Sequence, residues 1–239
     1  MITYNLGVRF SPLEGIVRGT IPFGTTWQVR GESGAGKSTL GFQFLMQGLR
    51  QGESAVYVAC DEPATRVRED MNFFGFSTEP YEQEGKLVLV DTYESSDPRV
   101  LCIKDRGDSQ EFLYILTRIV RQMPRPCRLI LDSLTSLSAV YSTKAFISLI
   151  QEKNRLLRDP EVVIMDIYLK STLEEAGMYA LTNAYDVCLD LLFPDEKGGV
   201  PQRSLRIHKL RTSGYDPRPF PCFIKQGVGL VVDKEFYVR

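Results

Sequence analysis

The sequence predicts an α/β domain, with a mostly parallel sheet held between helices and extended at its C-terminal end by an antiparallel strand meander. Three observations carry this expectation. Short apolar runs alternate with amphipathic stretches along most of the chain. One run, residues 87–90 (LVLV), is apolar without alternation, the pattern of a strand buried on both faces. Beyond Asp186 the helical periodicity stops, and strand-like segments succeed one another across Pro- and Gly-containing turns.

In chain order, residues 26–30 form a β-prone run ending at Gly31. Residues 36–51 place Leu40, Phe44, Leu45 and Leu49 at helical spacing, and Gly52 supplies the stop. Residues 55–60 (AVYVAC) read as a strand, and 65–74 as a helix closed by Gly75. Periodicity makes 110–122 a helix, and 127–131 (CRLIL) is the next strand, running into Asp132. A helix over 144–157 and a strand over 162–168 follow, then a short helix or ordered loop over 172–182. The segments 186–193, 203–210 and 220–232 form the meander, with no room for crossover helices between them. Trp27 is expected to pack in the core or at the sheet edge. No internal repeat, low-complexity tract or linker interrupts the pattern, so residues 1–239 are expected to form a single domain.

Composition narrows the function. The 239 residues are 43% hydrophobic, enough for one sizeable core. Twenty-nine Lys+Arg against 30 Asp+Glu give a net charge of -1, which supplies no global attraction to nucleic acid or to an anionic membrane. Cys60, Cys102, Cys127, Cys188 and Cys222 are scattered and His208 is the one histidine, so a structural zinc is not expected. Widely spaced cysteines suit reduced thiols. The first 13 residues lack a signal-peptide pattern, and no apolar run approaches the ~18–20 residues of a membrane helix. A soluble, cytoplasmic protein is expected.

Residues 31–38, Gly-Glu-Ser-Gly-Ala-Gly-Lys-Ser, match the phosphate-loop pattern GxxxxGK[ST] in full. Glycines let the backbone curl so that successive amides converge on phosphate oxygens, and the next helix aims its positive end at the same anion. A chance Gly-rich turn is the alternative, but here a strand enters the motif and an amphipathic helix leaves it. Nucleotide contacts are expected from Ser33, Gly34, Ala35, Gly36, Lys37, Ser38 and Thr39, with Lys37 on the β- and γ-phosphates. ATP and Mg²⁺ are the implied cofactors, with Ser38 as a ligand to the metal.

Such a loop needs a carboxylate at the end of a neighbouring buried strand to organise the metal, and Asp132 stands at that place. Asp61-Glu62 ends another strand, where it can face the γ-phosphate and serve as general base. The same pair precedes Pro63 and a helix, where negative charge is favoured in any case, and spacing alone leaves both readings open.

Together these residues resemble the RecA superfamily and, within it, the KaiC-like branch that includes the Rad55-type and archaellum-associated ATPases. Leu13-Glu14-Gly15 through Gly24 resembles that branch's "GLDELLGGGIPRGS" lead-in in degenerate form. Gly41-Phe42-Gln43-Phe44-Leu45 is similar to its "xxQFL" helix. Phe74-Gly75-Phe76 and residues 81–87 (YEQEGKL) resemble "FGWD…YEEEGKL", and Leu131-Asp132-Ser133-Leu134 resembles "IDSL". The resemblance covers nearly the whole chain and implies a RecA-like P-loop NTPase core.

It also implies roles. The family's "FEE" falls on Cys60-Asp61-Glu62, which implies Glu62 as the catalytic glutamate with Asp61 beside it, in place of the family's first Glu. His208-Lys209-Leu210-Arg211-Thr212 resembles "KMRG", in which Lys and Arg act on the γ-phosphate of an adjacent subunit; Lys209 and Arg211 inherit that role. Residues two apart on a strand share a face, although a solvated basic edge strand has the same pattern. A trans-acting pair implies a homo-oligomer, a hexameric ring with ATP at the subunit interfaces. The autophosphorylated Ser-Thr pair of clock-type members falls on Thr182-Asn183, where Asn cannot accept a phosphoryl group. Lys170-Ser171-Thr172 lies at the edge of the sheet suited to sensing the γ-phosphate, though a plain loop fits as well.

Three functions follow from this: an oligomeric ATPase that signals nucleotide state to a protein partner, a weakly hydrolysing nucleotide sensor or scaffold, and a recombinase-like DNA-binding ATPase.

Overall fold

A computed structural model of the protein describes residues 7–92, 95, 97–193 and 202–237. The chain opens with three two-residue strands, β1 (Gly7–Val8), β2 (Val17–Arg18) and β3 (Ile21–Pro22), then enters the main sheet at β4 (Thr26–Gly31). Helix α1 (Lys37–Arg50), β5 (Ser54–Ala59), α2 (Ala64–Phe73), the short α3 (Glu79–Gln83), β6 (Leu87–Asp91) and β7 (Leu101–Cys102) follow. Next come α4 (Ser109–Gln122), β8 (Cys127–Asp132), α5 (Leu134–Ser138), α6 (Thr143–Leu156), β9 (Val162–Leu169) and α7 (Glu175–Thr182). The chain finishes with β10 (Val187–Leu192), β11 (Arg203–Leu210), β12 (Gly214–Tyr215), β13 (Phe220–Lys225) and β14 (Gly229–Val232).

Ten strands form one sheet in the order β14-β13-β11-β10-β4-β9-β8-β5-β6-β7. The block from β10 to β7 is parallel, and β11, β13 and β14 add to it antiparallel. The expected mixed architecture is therefore present, with two refinements. The segment expected to open the meander, β10, is itself parallel to β4, because α7 provides a crossover from β9. The single strand expected over 220–232 is a hairpin, turned at Gly227 and Gly229, whose φ angles are +76° and +96°.

Alternate residues of the buried strands feed two cores. On one face α1 and α2 pack over Val29, Tyr57, Ile130 and Met165, and Trp27 is fully buried beside Phe44 and Phe10. On the other face α4, α5, α6 and α7 cover Val56, Leu129, Ile164 and Tyr168. Helix α1 lies close to the sheet because it carries glycine on its inner side: a Cβ at Gly41 would stand 2.9 Å from Ile167 Cδ1. This close seat fixes the loop that leads into α1 relative to the ends of β5 and β8.

At the amino ends of the central strands Arg128 is fully buried. It donates to Glu53 through Nε (2.5 Å) and Nη2 (3.0 Å) and to the Phe44 carbonyl through Nη1 (2.8 Å). Its guanidinium also lies 4.5 Å from the Phe44 ring centre. A second buried pair, Lys153–Asp166, joins α6 to β9 at 2.6 Å. Buried ion pairs of this kind persist only when their hydrogen-bonding capacity is filled.

Candidate functional site

The loop between β4 and α1 has the local structure its sequence requires. Gly34 and Gly36 adopt φ angles of +74° and +96°, a region that L side chains rarely enter. Gly31, the last residue of β4, must lack a side chain for a second reason: a Cβ there would stand 2.4 Å from the Leu191 carbonyl of β10. Helix α1 starts at Lys37 with Gly36 as its N-cap and no side chain capping its first amides. Those uncapped amides, with the positive end of the helix dipole, suit an anion. Ser33, Gly34 and Ser38 are exposed along the rim, while Ala35, Lys37 and Thr39 are buried against the domain.

Lys37 Nζ donates to the Glu32 carbonyl at 2.7 Å, so the ammonium lies over its own loop. Burial lowers its pKa, while the charges of Asp132, Glu32 and Asp61 act to raise it. That set of influences puts Lys37 within electrostatic reach of all three carboxylates.

Asp132 ends β8 as the sequence expects, level with Ala59 on β5. Tyr57 donates its hydroxyl to Asp132 Oδ2 at 2.5 Å, and Ser38 lines the same cleft beside this carboxylate. Burial raises the Asp132 pKa; the Tyr57 hydrogen bond and the Ser38 hydroxyl pull it down, Asp61 pushes it up, and Lys37 again lowers it. Asp61 and Glu62, exposed just past β5, complete a cleft of about 190 Å³ that also holds Ser38, Thr39, Tyr57 and Asp132. Its oxygen-only donor set of hydroxyl and carboxylate suits a hard cation such as Mg²⁺, and the amide-lined loop beside it suits phosphates. The residues present therefore fit the nucleotide and metal that the sequence implied.

Lys209 and Arg211 lie together, but away from this cleft. Lys209 Nζ donates to the Thr182 carbonyl at 2.9 Å and Arg211 Nη2 to the Asn183 carbonyl at 3.2 Å, at the C-terminal end of α7. Burial lowers the Lys209 pKa, and the charge of Arg211 contributes in the same direction. Thr182 is buried, and its hydroxyl meets Gln28 Oε1 at 2.9 Å and the Met178 carbonyl at 2.8 Å, inside the fold. Lys170 sits beside the phosphate loop, its amide bonded to the Gly31 carbonyl at 3.1 Å and its Nζ 3.8 Å from the Glu32 carboxylate.

Two contributors escaped the sequence reading. Tyr57, on the buried strand β5, carried no mark separating it from a core tyrosine. Arg203, at the start of β11, donates to the Gly34 carbonyl through Nε (3.3 Å) and Nη2 (3.1 Å) and lies over the Phe193 ring. A contact 169 residues away in sequence leaves no local signal.

A phosphate loop at the carboxyl end of β4, an acid ending β8 with β9 between the two, and an acidic pair just past β5 define a RecA-like, nucleotide-binding domain of the ATPase class. The sequence model of a family described as "ATPase: KaiC" matches residues 10–236, and the chain belongs to that family. Among its relatives are a UPF0273 protein of Thermotoga maritima, 30% identical over 219 residues, with 87% of this chain and 88% of that protein covered. The circadian clock protein KaiC3 of Synechocystis sp. is 27% identical over 224 residues, which span 90% of this chain and 42% of that longer protein. A crystal structure of a KaiC-like protein from Pyrococcus horikoshii superposes with a TM-score of 0.78 at 25% identity, covering 96% of this chain and 98% of that one. Among the described residues, no helix is long and apolar enough to cross a membrane.

Proposed function

We propose that this single-domain chain binds ATP with Mg²⁺ at the phosphate loop, hydrolyses it, and assembles into a hexameric ring that signals nucleotide state to a protein partner. The observation that supports this reading most is the convergence of Lys37, Ser38, Asp61, Glu62 and Asp132, contributed by three strand ends, at one cleft. Main-chain amides from Ser33 to Thr39 hold the phosphates, and Lys37 neutralises the β- and γ-oxygens. Ser38 and Asp132 hold the metal; bound Mg²⁺ supplies charge neutralisation on the phosphates. Glu62 orients the attacking water and accepts its proton, with Asp61 beside it.

In this reading Lys209 and Arg211 act on the nucleotide of an adjacent copy. The support is distance. Lys209 pairs with Cys188, which stands level with Gln28, three residues short of Gly31 on β4. At ~3.3 Å per residue the pair lies roughly 10 Å along the sheet from its own loop. A head-to-tail contact that brings one copy's Arg211 to the next copy's loop is heterologous; it gives a ring where the rotation closes and a helical filament where it does not, and the proposed assembly is the ring. The five cysteines are all free thiols, in keeping with a cytoplasmic protein. With a net charge of -1, nucleic acid is not the proposed partner.

Asp61, one methylene shorter than the glutamate of the family motif, favours a second reading, a sensor that binds ATP and turns it over slowly. Phosphate release separates the two. The hydrolytic reading expects Glu62→Gln to be far slower than wild type; equal low rates support the sensor. Sedimentation with and without ATP–Mg²⁺ tests the ring. A nucleotide-dependent hexamer is expected, and a monomer under both conditions contradicts assembly.

A further inference from the structure

The pair Asp61-Glu62 hangs from a peptide that is held from several sides. Strand β5 ends at Ala59, so the carbonyl of Cys60 lies beyond the sheet ladder. Ser136 Oγ donates to that carbonyl at 2.8 Å, Arg106 Nη1 at 3.3 Å, and Thr92 Oγ1 stands 3.5 Å away. The Cys60 amide donates to the Asp132 carbonyl at 2.7 Å. Arg106 is tied down in turn, because Tyr141 donates its hydroxyl to the Arg106 carbonyl at 2.8 Å.

Ser136 belongs to α5, which starts two residues after Asp132. One short segment therefore carries the buried carboxylate that meets Ser38, the main-chain oxygen that receives the Cys60 amide, and the hydroxyl that fixes the Cys60 carbonyl. It sets the spacing between the end of β8 and the acidic turn after β5. The Asp61 and Glu62 side chains are themselves exposed, so the main chain that carries them decides where they point.

From this arrangement we infer that Ser136 and Arg106 are positioning residues for the acidic pair: by holding the Cys60 carbonyl they fix the approach of Glu62 to the attacking water. The inference rests on Glu62 acting as the base. A displacement of ~1 Å at a reacting group costs on the order of a hundredfold in rate, whereas the phosphate loop is anchored separately, between β4 and α1.

The test is steady-state phosphate release by the full chain with saturating ATP–Mg²⁺, comparing Ser136→Ala, Ser136→Thr and Arg106→Ala in the wild-type and Glu62→Gln backgrounds. Ser136→Ala is expected to lower kcat by about ten- to a hundredfold, with KM for ATP within about twofold. Ser136→Thr, which keeps the hydroxyl, restores most of the rate. In the Glu62→Gln background Ser136→Ala causes no further loss, because the group it positions is gone. Wild-type kcat in Ser136→Ala, or the same fold-loss in both backgrounds, overturns the inference, since a purely structural hydroxyl affects both alike. If Ser136→Ala does not fold, Arg106→Ala, at a half-buried site, faces the same two criteria. Wild-type turnover by Glu62→Gln itself identifies a different failure, that of the carboxylate reading.

Discussion

Strands β5 and β8 each carry charge at both ends, and the two ends are built differently. At the amino ends Glu53 and Arg128 face each other in a site with almost no solvent. There Glu53 accepts two bonds from Arg128, and Arg128 also reaches a carbonyl and an aromatic face. At the carboxyl ends Asp132 is also buried, yet it opens onto a cleft shared with Asp61 and Glu62, where like charges stand near one another. The first arrangement saturates its charges and stabilises the fold. The second keeps acceptor capacity and negative charge in reserve, which costs stability and suits a ligand that brings its own cations. This division follows the rule that open α/β sheets bind at the carboxyl ends of their strands.

Substitutions at the two ends should therefore have opposite signatures. The largest effect is expected for Glu62→Gln, with hydrolysis falling by about 10²–10⁴-fold in a phosphate-release assay while the melting temperature stays unchanged. Glu53→Ala should do the reverse. It leaves Arg128 buried without its carboxylate, which costs about 3–5 kcal/mol and lowers Tm by on the order of 10 °C in a thermal melt, with nucleotide affinity of the folded protein preserved. Asp132→Asn sharpens the contrast. Because burial raises the Asp132 pKa, its ionised form is the costly one at neutral pH, so the variant should melt no lower than wild type while its affinity for Mg²⁺ drops roughly tenfold.

The smallest expected effect is on pH dependence. In the proposed function ATP binds the ammonium form of Lys37, and burial lowers the pH at which that form is lost. Affinity should fall as pH rises through this lowered pKa, below the ~10.4 of an ordinary lysine. Calorimetry between about pH 7 and 10 should show the decline in wild type and its absence in Lys37→Arg, whose guanidinium stays charged.

The carboxyl end was far more legible in the sequence than the amino end. GxxxxGKS declares itself because backbone curvature demands glycine at fixed spacings, and Asp132 because it abruptly ends an apolar run. Helices α1, α4 and α6 were visible through apolar periodicity over 14 residues each. Helices α3 and α5, five residues each, are too short to display a period. The Glu53–Arg128 pair was invisible because it joins residues 75 apart that mean nothing separately. The Gly227 and Gly229 turn was readable in principle, since two glycines within three residues interrupt the predicted 220–232 strand.

In the proposed function, main-chain amides and Lys37 grip a triphosphate in the bend between β4 and α1. Isothermal titration with ATP–Mg²⁺ tests it most directly. One saturable site per chain is expected, weakened by about a hundredfold or more in Lys37→Ala with its fold intact. No heat at millimolar nucleotide, or an unchanged affinity in Lys37→Ala, contradicts it.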